Sequence, residues 1–253
     1  LPGTFYHDAD AGRIFYALAT NQSVGGDLEV DSWVSTQEIL MDYTAGSGGH
    51  VWEGVRFEYA TWGQPNSGDG FVDTQSAVFT CTPGQPGCNM GSSGEPLGAV
   101  RLSGAHGVRF SNCSFVHLGS PYGLSVQGGS QSVDVAGCRF SDLSGGFLKL
   151  GSVSSVPGVA GAMTSDPTKW DSHFSITDNV ASGQAVEYSG AAGFFGGYID
   201  SADVSHNTVQ DAGYSGFSLG WGWGRQYPPG FGNNTTAYNR ISRVMTKAKD
   251  GGG

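Results

Sequence analysis

A strand-sized phrase recurs along this chain. Residues 107–115 read GVRFSNCSF and residues 132–140 read SVDVAGCRF. Shorter copies follow at 174–179 (FSITDN), 202–207 (ADVSHN) and 236–241 (TAYNRI). Each alternates apolar and polar residues over one short strand, reaches a Cys or Asn, and runs into a Gly-rich bend. Cys113 and Cys138 stand 25 residues apart, and Asn179 and Asn207 stand 28 apart. A strand unit recurring at this period predicts stacked repeats rather than a closed globule. Side chains distant in sequence then fall into columns, and like residues meet like. Asn179, Asn207 and Asn239 are expected to form one ladder, in register with Cys113 and Cys138.

The expected architecture is all-β, a right-handed parallel β-helix with an N-terminal β-hairpin and long loop insertions. A propeller blade needs roughly 40–50 residues of four-stranded pattern, about twice the spacing seen here. Residues 1–45 read as the hairpin and a lead-in, and 46–253 as the solenoid, continuing beyond its C-terminal end. The hairpin comes from two aromatic runs, Thr4 to His7 and Arg13 to Leu18, around an Asp/Gly bend. Val51 to Tyr59 reads as the first strand of repeat type. Thr61 to Ser76, Thr80 to Leu97, Gly151 to Asp171 and Trp221 to Asn234 read as loops.

Composition narrows the function. The 253 residues include 43 Gly and carry a net charge of −10 with only 12 Lys and Arg. That balance argues against a nucleic-acid partner. It favours a neutral sugar over a polyanionic one as ligand. No stretch is long enough for a membrane span. Cys81 and Cys88 bracket a turn-rich loop and are expected to form a small disulfide. Cys113 and Cys138 sit on adjacent repeats, either bonded or as stacked thiols. Asn21, Asn112, Asn233 and Asn234 open glycosylation sequons. Together these favour a secreted or extracellular protein, a processed or partial chain within a larger chain or assembly.

In such a stack the core gives stability and the insertions carry chemistry. Trp221 and Trp223 alternate with Gly220, Gly222 and Gly224, so both indoles face one way in a strand. With Trp62 and Tyr227 they are candidates for stacking on sugar rings, and Gln75 and His117 for polar contacts to the same ligand. Glycoside hydrolysis needs two carboxylates. Aligning the phrases places His117, Asp142, Asp211 and Arg243 in one column, with each Asp equally readable as a solvated turn residue. Asp211, Glu187 and Asp250 are the catalytic candidates. No HExxH or paired-histidine spacing occurs, so neither a metal nor another cofactor is expected.

Several segments resemble glycoside hydrolase family 141. They are LPGTFYHD at 1–8 with GRIFY at 12–16, and GVRFEYATW at 54–62 followed by Pro65, Gly70 and DTQ at 73–75. GYSGFSLGWGW at 213–223 and the terminal DGGG at 250–253 complete the set. The resemblance implies a carbohydrate-active β-helix enzyme with acidic residues in a groove on one face. By match to DGGG it favours Asp250. The chain departs from the family in the Cys81–Cys88 loop and at 151–161. A glycoside hydrolase is the leading expectation. A non-catalytic glycan-binding or structural module and a polysaccharide lyase are the alternatives.

Overall fold

The computed structural model describes residues 4–8, 10–18, 33–44, 48–80, 94–153, 164–220 and 231–248. Contacts divide the chain into two compact units, Leu1–Val34 and Ser35–Gly253. In the first, β1 (Phe5–Asp8) and β2 (Arg13–Tyr16) form an antiparallel hairpin. Its turn is held by Asp8 accepting from the Ala11 amide, and Tyr6 stacks on Phe15 across the strands.

The second unit is all-β among its described residues, apart from two short 3-10 turns. Three parallel sheets of six strands dominate it. The first holds β3 (Met41–Thr44), β8 (Val100–Ser103), β11 (Tyr122–Gln127), β14 (Gly146–Leu150), β18 (Phe194–Gly196) and β22 (Phe217–Leu219). The second holds β4 (Val51–Glu53), β9 (Arg109–Ser111), β12 (Asp134–Ala136), β16 (Ser175–Thr177), β20 (Asp203–Ser205) and β23 (Thr235–Ala237). The third holds β5 (Arg56–Ala60), β10 (Ser114–Leu118), β13 (Arg139–Leu143), β17 (Val180–Gln184), β21 (Thr208–Ala212) and β24 (Arg240–Ser242). The chain visits the three sheets in rotation, so each strand pairs with the strand one round earlier and one round later.

Each repeated phrase is therefore two strands around a corner, not one strand. Val51 to Tyr59 is likewise broken at Gly54 into β4 and β5. The corner needs a left-handed residue, and Gly54, Asn112, Gly137, Asp178, His206 and Tyr238 all supply positive φ there. The next position holds the predicted ladder. Asn179 Oδ1 accepts from the Cys138 amide at 2.9 Å, Asn207 Oδ1 from the Asn179 amide at 3.0 Å, and Asn239 Oδ1 from the Asn207 amide at 2.8 Å. Cys113 and Cys138 continue the column as free, buried thiols. Burial pushes the Cys138 thiol up to about 12.

One apolar core is shared by all three sheets. The third sheet contributes Phe57, Phe115 and Phe140, whose rings stack at 5.0 and 4.6 Å between centroids. The second adds Phe110, Val135, Ile176 and Val204, and the first Leu102, Leu124, Leu148 and Phe194, all at most 1% exposed. In the second sheet, alternation puts one residue in and the next out, as in β12 and β16.

Two segments expected as loops are partly strand. β6 (Phe71–Thr74) and β7 (Ala77–Thr80) form an antiparallel hairpin, because the apolar run Ala77-Val78-Phe79 buries itself. With the segment around Glu95, this hairpin covers part of the first sheet's outer face. Lys149 is buried there, paired with Glu95 at 2.8 Å and donating to Gln127 Oε1 at 3.0 Å. Asp171 begins the short strand β15 (Asp171–Ser172), which pairs with β19 (Ile199–Asp200). Its Oδ1 accepts from the Gly129 and Ser130 amides, while its buried Oδ2 has no hydrogen-bond partner. Burial pushes this carboxyl up to about 7.

Candidate functional site

The third sheet departs from simple alternation at one position in every round. Tyr59, His117, Asp142, Gly183, Asp211 and Arg243 all lie in the left-handed region, with φ between 51° and 68°. The bulge turns two consecutive residues outward before the chain dips back to the core. Thus Val116 and His117 both face out, while Phe115 and Leu118 are buried. The result is a polar strip two residues wide. One row is Glu58, Val116, Ser141, Ser182, Gln210 and Ser242. The row beside it is the left-handed column. A non-Gly residue in this region costs about 1–2 kcal/mol, and glycine would satisfy the bulge at no steric cost. In this column only Gly183 is glycine.

The column contains the four residues that phrase alignment put together, and the structure adds Tyr59 and Gly183. Tyr59 stacks on His117 at 5.2 Å. His117 Nδ1 lies 2.6 Å from Asp142 Oδ2. Arg243 donates to Asp211 through Nε at 2.5 Å and Nη2 at 2.8 Å, and Ser182 Oγ adds a bond at 3.2 Å. The Arg243 hydrogen bonds hold the Asp211 carboxyl below the usual range. Asp142 and Asp211 sit two strand steps apart, roughly 9.6 Å along the sheet, and bare Gly183 lies between them. A Cβ on Gly183 would meet the Asp142 backbone at 3.5 Å, ordinary van der Waals contact, so a side chain there would occupy the room between the two acids without a clash.

A second cluster lies on the loop that leaves β17. Trp62, Phe71 and Tyr188 meet edge to face, with centroids 5.1–5.4 Å apart. Tyr188 Oη donates to Gly119 O at 3.2 Å. Asp73 accepts from the Gly190 amide at 2.9 Å and from Ser189 Oγ at 3.4 Å. Its carboxyl is raised by burial, although the residue as a whole stays exposed. Burial first, then the charges of Glu187 and Asp73, raise the Tyr188 phenol. Lys247 reaches the same loop by donating to Val186 O.

Of the residues predicted from sequence, His117 and Asp211 thus belong to the column. Trp62 packs on Tyr188, and the charge of the adjacent Glu187 acts on the Tyr188 phenol. Trp62 is half-buried in the aromatic cluster and Glu187 is exposed. Gln75 is half-buried at the turn between β6 and β7. Asp250, Trp221, Trp223, Tyr227, Cys81, Cys88 and Asn21 lie outside the described residues. Among the sequon residues, Asn112 is exposed at a left-handed corner. Asn233 is exposed and donates to Asp200 Oδ1. Asn234 caps backbone, donating to Ile199 O and accepting from the Ala202 amide. Asp73 and Tyr188 were not singled out as site residues, since their placement depends on the β6–β7 hairpin. Among the described residues no group of three or more His, Cys, Asp or Glu could hold a metal ion. None of their helices is long and apolar enough to cross a membrane.

No protein-family model and no curated protein matches this chain. Among solved structures, a glycoside hydrolase is similar in fold, with a TM-score of 0.69 and 24% identity. The match covers 88% of this chain and 40% of that one, so this chain spans less than half the length of that protein.

Proposed function

We propose that the three sheets are the faces of one right-handed parallel β-helix and that the protein is a secreted glycoside hydrolase. The rotation of strands through three sheets around one core supports the first part. The fold likeness to a glycoside hydrolase supports the second. The single observation that carries the reading is the pair Asp142 and Asp211 on either side of Gly183. The two strand steps between their backbones are close to the carboxyl separation of inverting enzymes, which leave room for a water between the carboxyls.

In this reading the sugar lies across β17 and β21. Asp211, kept ionised by Arg243, takes a proton from a water above Gly183 as that water attacks the anomeric carbon. The glycosidic bond breaks on the opposite side of the ring. The leaving oxygen receives the proton held between His117 and Asp142. Tyr59, stacked on His117, fixes the imidazole. Trp62 and Tyr188 border the same strip, and Glu187, next to Tyr188, is the alternative carboxylate.

One observation favours a second reading. Both acids of the column already have basic partners, as a non-catalytic glycan-binding strip would require. Hydrolysis of a glycan panel by wild type, Asp142→Asn and Asp211→Asn separates the two, with folding checked by circular dichroism. The hydrolase reading expects cleavage with inverted anomeric configuration by NMR, at least 100-fold slower in either variant. Binding without cleavage by wild type would leave the binding module. Undiminished cleavage in both variants would move the chemistry elsewhere.

A further inference from the structure

Net charge alone favours a neutral ligand, but the charges are not spread evenly. The outer row of the third sheet reads Arg56, Ser114, Arg139, Val180, Thr208 and Arg240 from β5 to β24. Arg243 stands in the left-handed column on the same face. The corresponding row of the second sheet reads Val51, Arg109, Asp134, Ser175, Asp203 and Thr235. Arginines are thus gathered on one face of a chain whose net charge is −10.

Every acid on that face already has a base. Glu58 is paired with Arg56, Asp142 with His117, and Asp211 with Arg243. Arg139 and Arg240 are left over: both are exposed, and neither makes an ion pair among the described residues. Three strand steps separate them, roughly 14 Å. Val180, 41% exposed, and Thr208 form the floor between. That floor is the outward row that runs alongside the strip of Ser182 and Gly183 where the glycan is proposed to bind. A guanidinium fork matches a carboxylate or sulfate in a bidentate pair.

We infer that the glycan bound on this face is acidic, its anionic groups gripped by Arg139 and Arg240 at the two ends of the Val180–Thr208 floor. The inference rests on the glycan reading above and deepens it. Neutralised column acids leave the strip itself free of net repulsion. The acidic remainder of the surface then disfavours polyanions everywhere except here.

Calorimetry at fixed ionic strength tests this with three probes: an oligogalacturonate, its carboxyl-reduced neutral counterpart, and a sulfated oligosaccharide of similar length. Wild type should bind an acidic probe roughly tenfold or more tighter than the neutral one. Which acidic probe wins distinguishes carboxylate from sulfate. Arg139→Gln and Arg240→Gln should each lose most of that preference, and Arg139→Lys should restore part of it. Arg109→Gln, on the second sheet, should change it less than twofold. All three positions are exposed, so the fold should survive in each variant. Equal affinity for acidic and neutral probes, or a preference untouched by both Gln variants, overturns the inference while leaving a glycan-binding protein. Binding of none of the probes overturns the inference and counts against the glycan reading too.

Discussion

Replacing Asn207 with Ala removes the middle rung of the ladder on which the strand stack depends. Asn207 is 1% exposed. Its Oδ1 accepts from the Asn179 amide at 3.0 Å and from Asn179 Nδ2 at 2.9 Å. Its Nδ2 donates to Ile176 O at 2.9 Å, to Ser205 O at 3.0 Å and to Asn239 Oδ1 at 3.0 Å. A net hydrogen bond is worth about 1 kcal/mol, and a buried group left unsatisfied costs about 1–3 kcal/mol. The Asn179 amide and Ile176 carbonyl would both lose a partner, so a loss of about 3–5 kcal/mol is expected. That is a large share of the ~5–15 kcal/mol that holds a domain folded. Asn239, only half-buried, has one neighbour in the ladder and should cost about 1–2 kcal/mol as Ala. Urea denaturation followed by far-UV circular dichroism measures both. A loss below about 1 kcal/mol for Asn207→Ala, or a larger loss at Asn239 than at Asn207, would refute the ladder as a structural element.

Three further outcomes follow from the geometry. Asp171 has a folded pKa of about 7, above its ordinary unfolded value. Its penalty is therefore absent at low pH, grows as pH rises past about 4, and is complete above about 7. The full difference is about 4 kcal/mol, so Asp171→Asn should gain on wild type in urea midpoint from pH 5 to pH 8. A constant gap between the two would contradict the burial argument. Gly183→Asn should fill the space between the two acids while tolerating positive φ, so stability should change by less than about 1 kcal/mol and glycan cleavage should be lost. Retained cleavage would mean that the gap is not used. Gly145→Ala would bring a Cβ to 2.0 Å from Pro121 O, and its soluble yield and denaturation midpoint should both fall well below those of Gly183→Asn.

Much of the third sheet's column was legible because a stacked repeat turns sequence period into spatial neighbourhood. His117, Asp142, Asp211 and Arg243 occupy the same place in successive phrases, and they do contact one another in pairs. Gly183 was missed because a glycine carries no chemistry of its own, and its role is the space it leaves. The corner inside each phrase was also hidden. Alternation continues across it, and only a left-handed residue such as Gly54 or Asn112 marks the break. Lys149 and Asp171 were not readable as buried. Their burial comes from chain that returns from elsewhere, as the Glu95 pairing shows, and no local pattern encodes that covering. Asp73 was obscure for the same reason, since its partners Ser189 and Gly190 lie more than a hundred residues away.

The most direct test of the account is a crystal structure of Asp211→Asn with an uncleaved oligosaccharide bound. The account predicts the scissile oxygen on the Asp142 side of Gly183, a water beside residue 211, and the chain of sugars crossing β17 and β21. An oligosaccharide seated on the second sheet, or one on the third sheet whose glycosidic oxygen lies far from both Asp142 and residue 211, would contradict it.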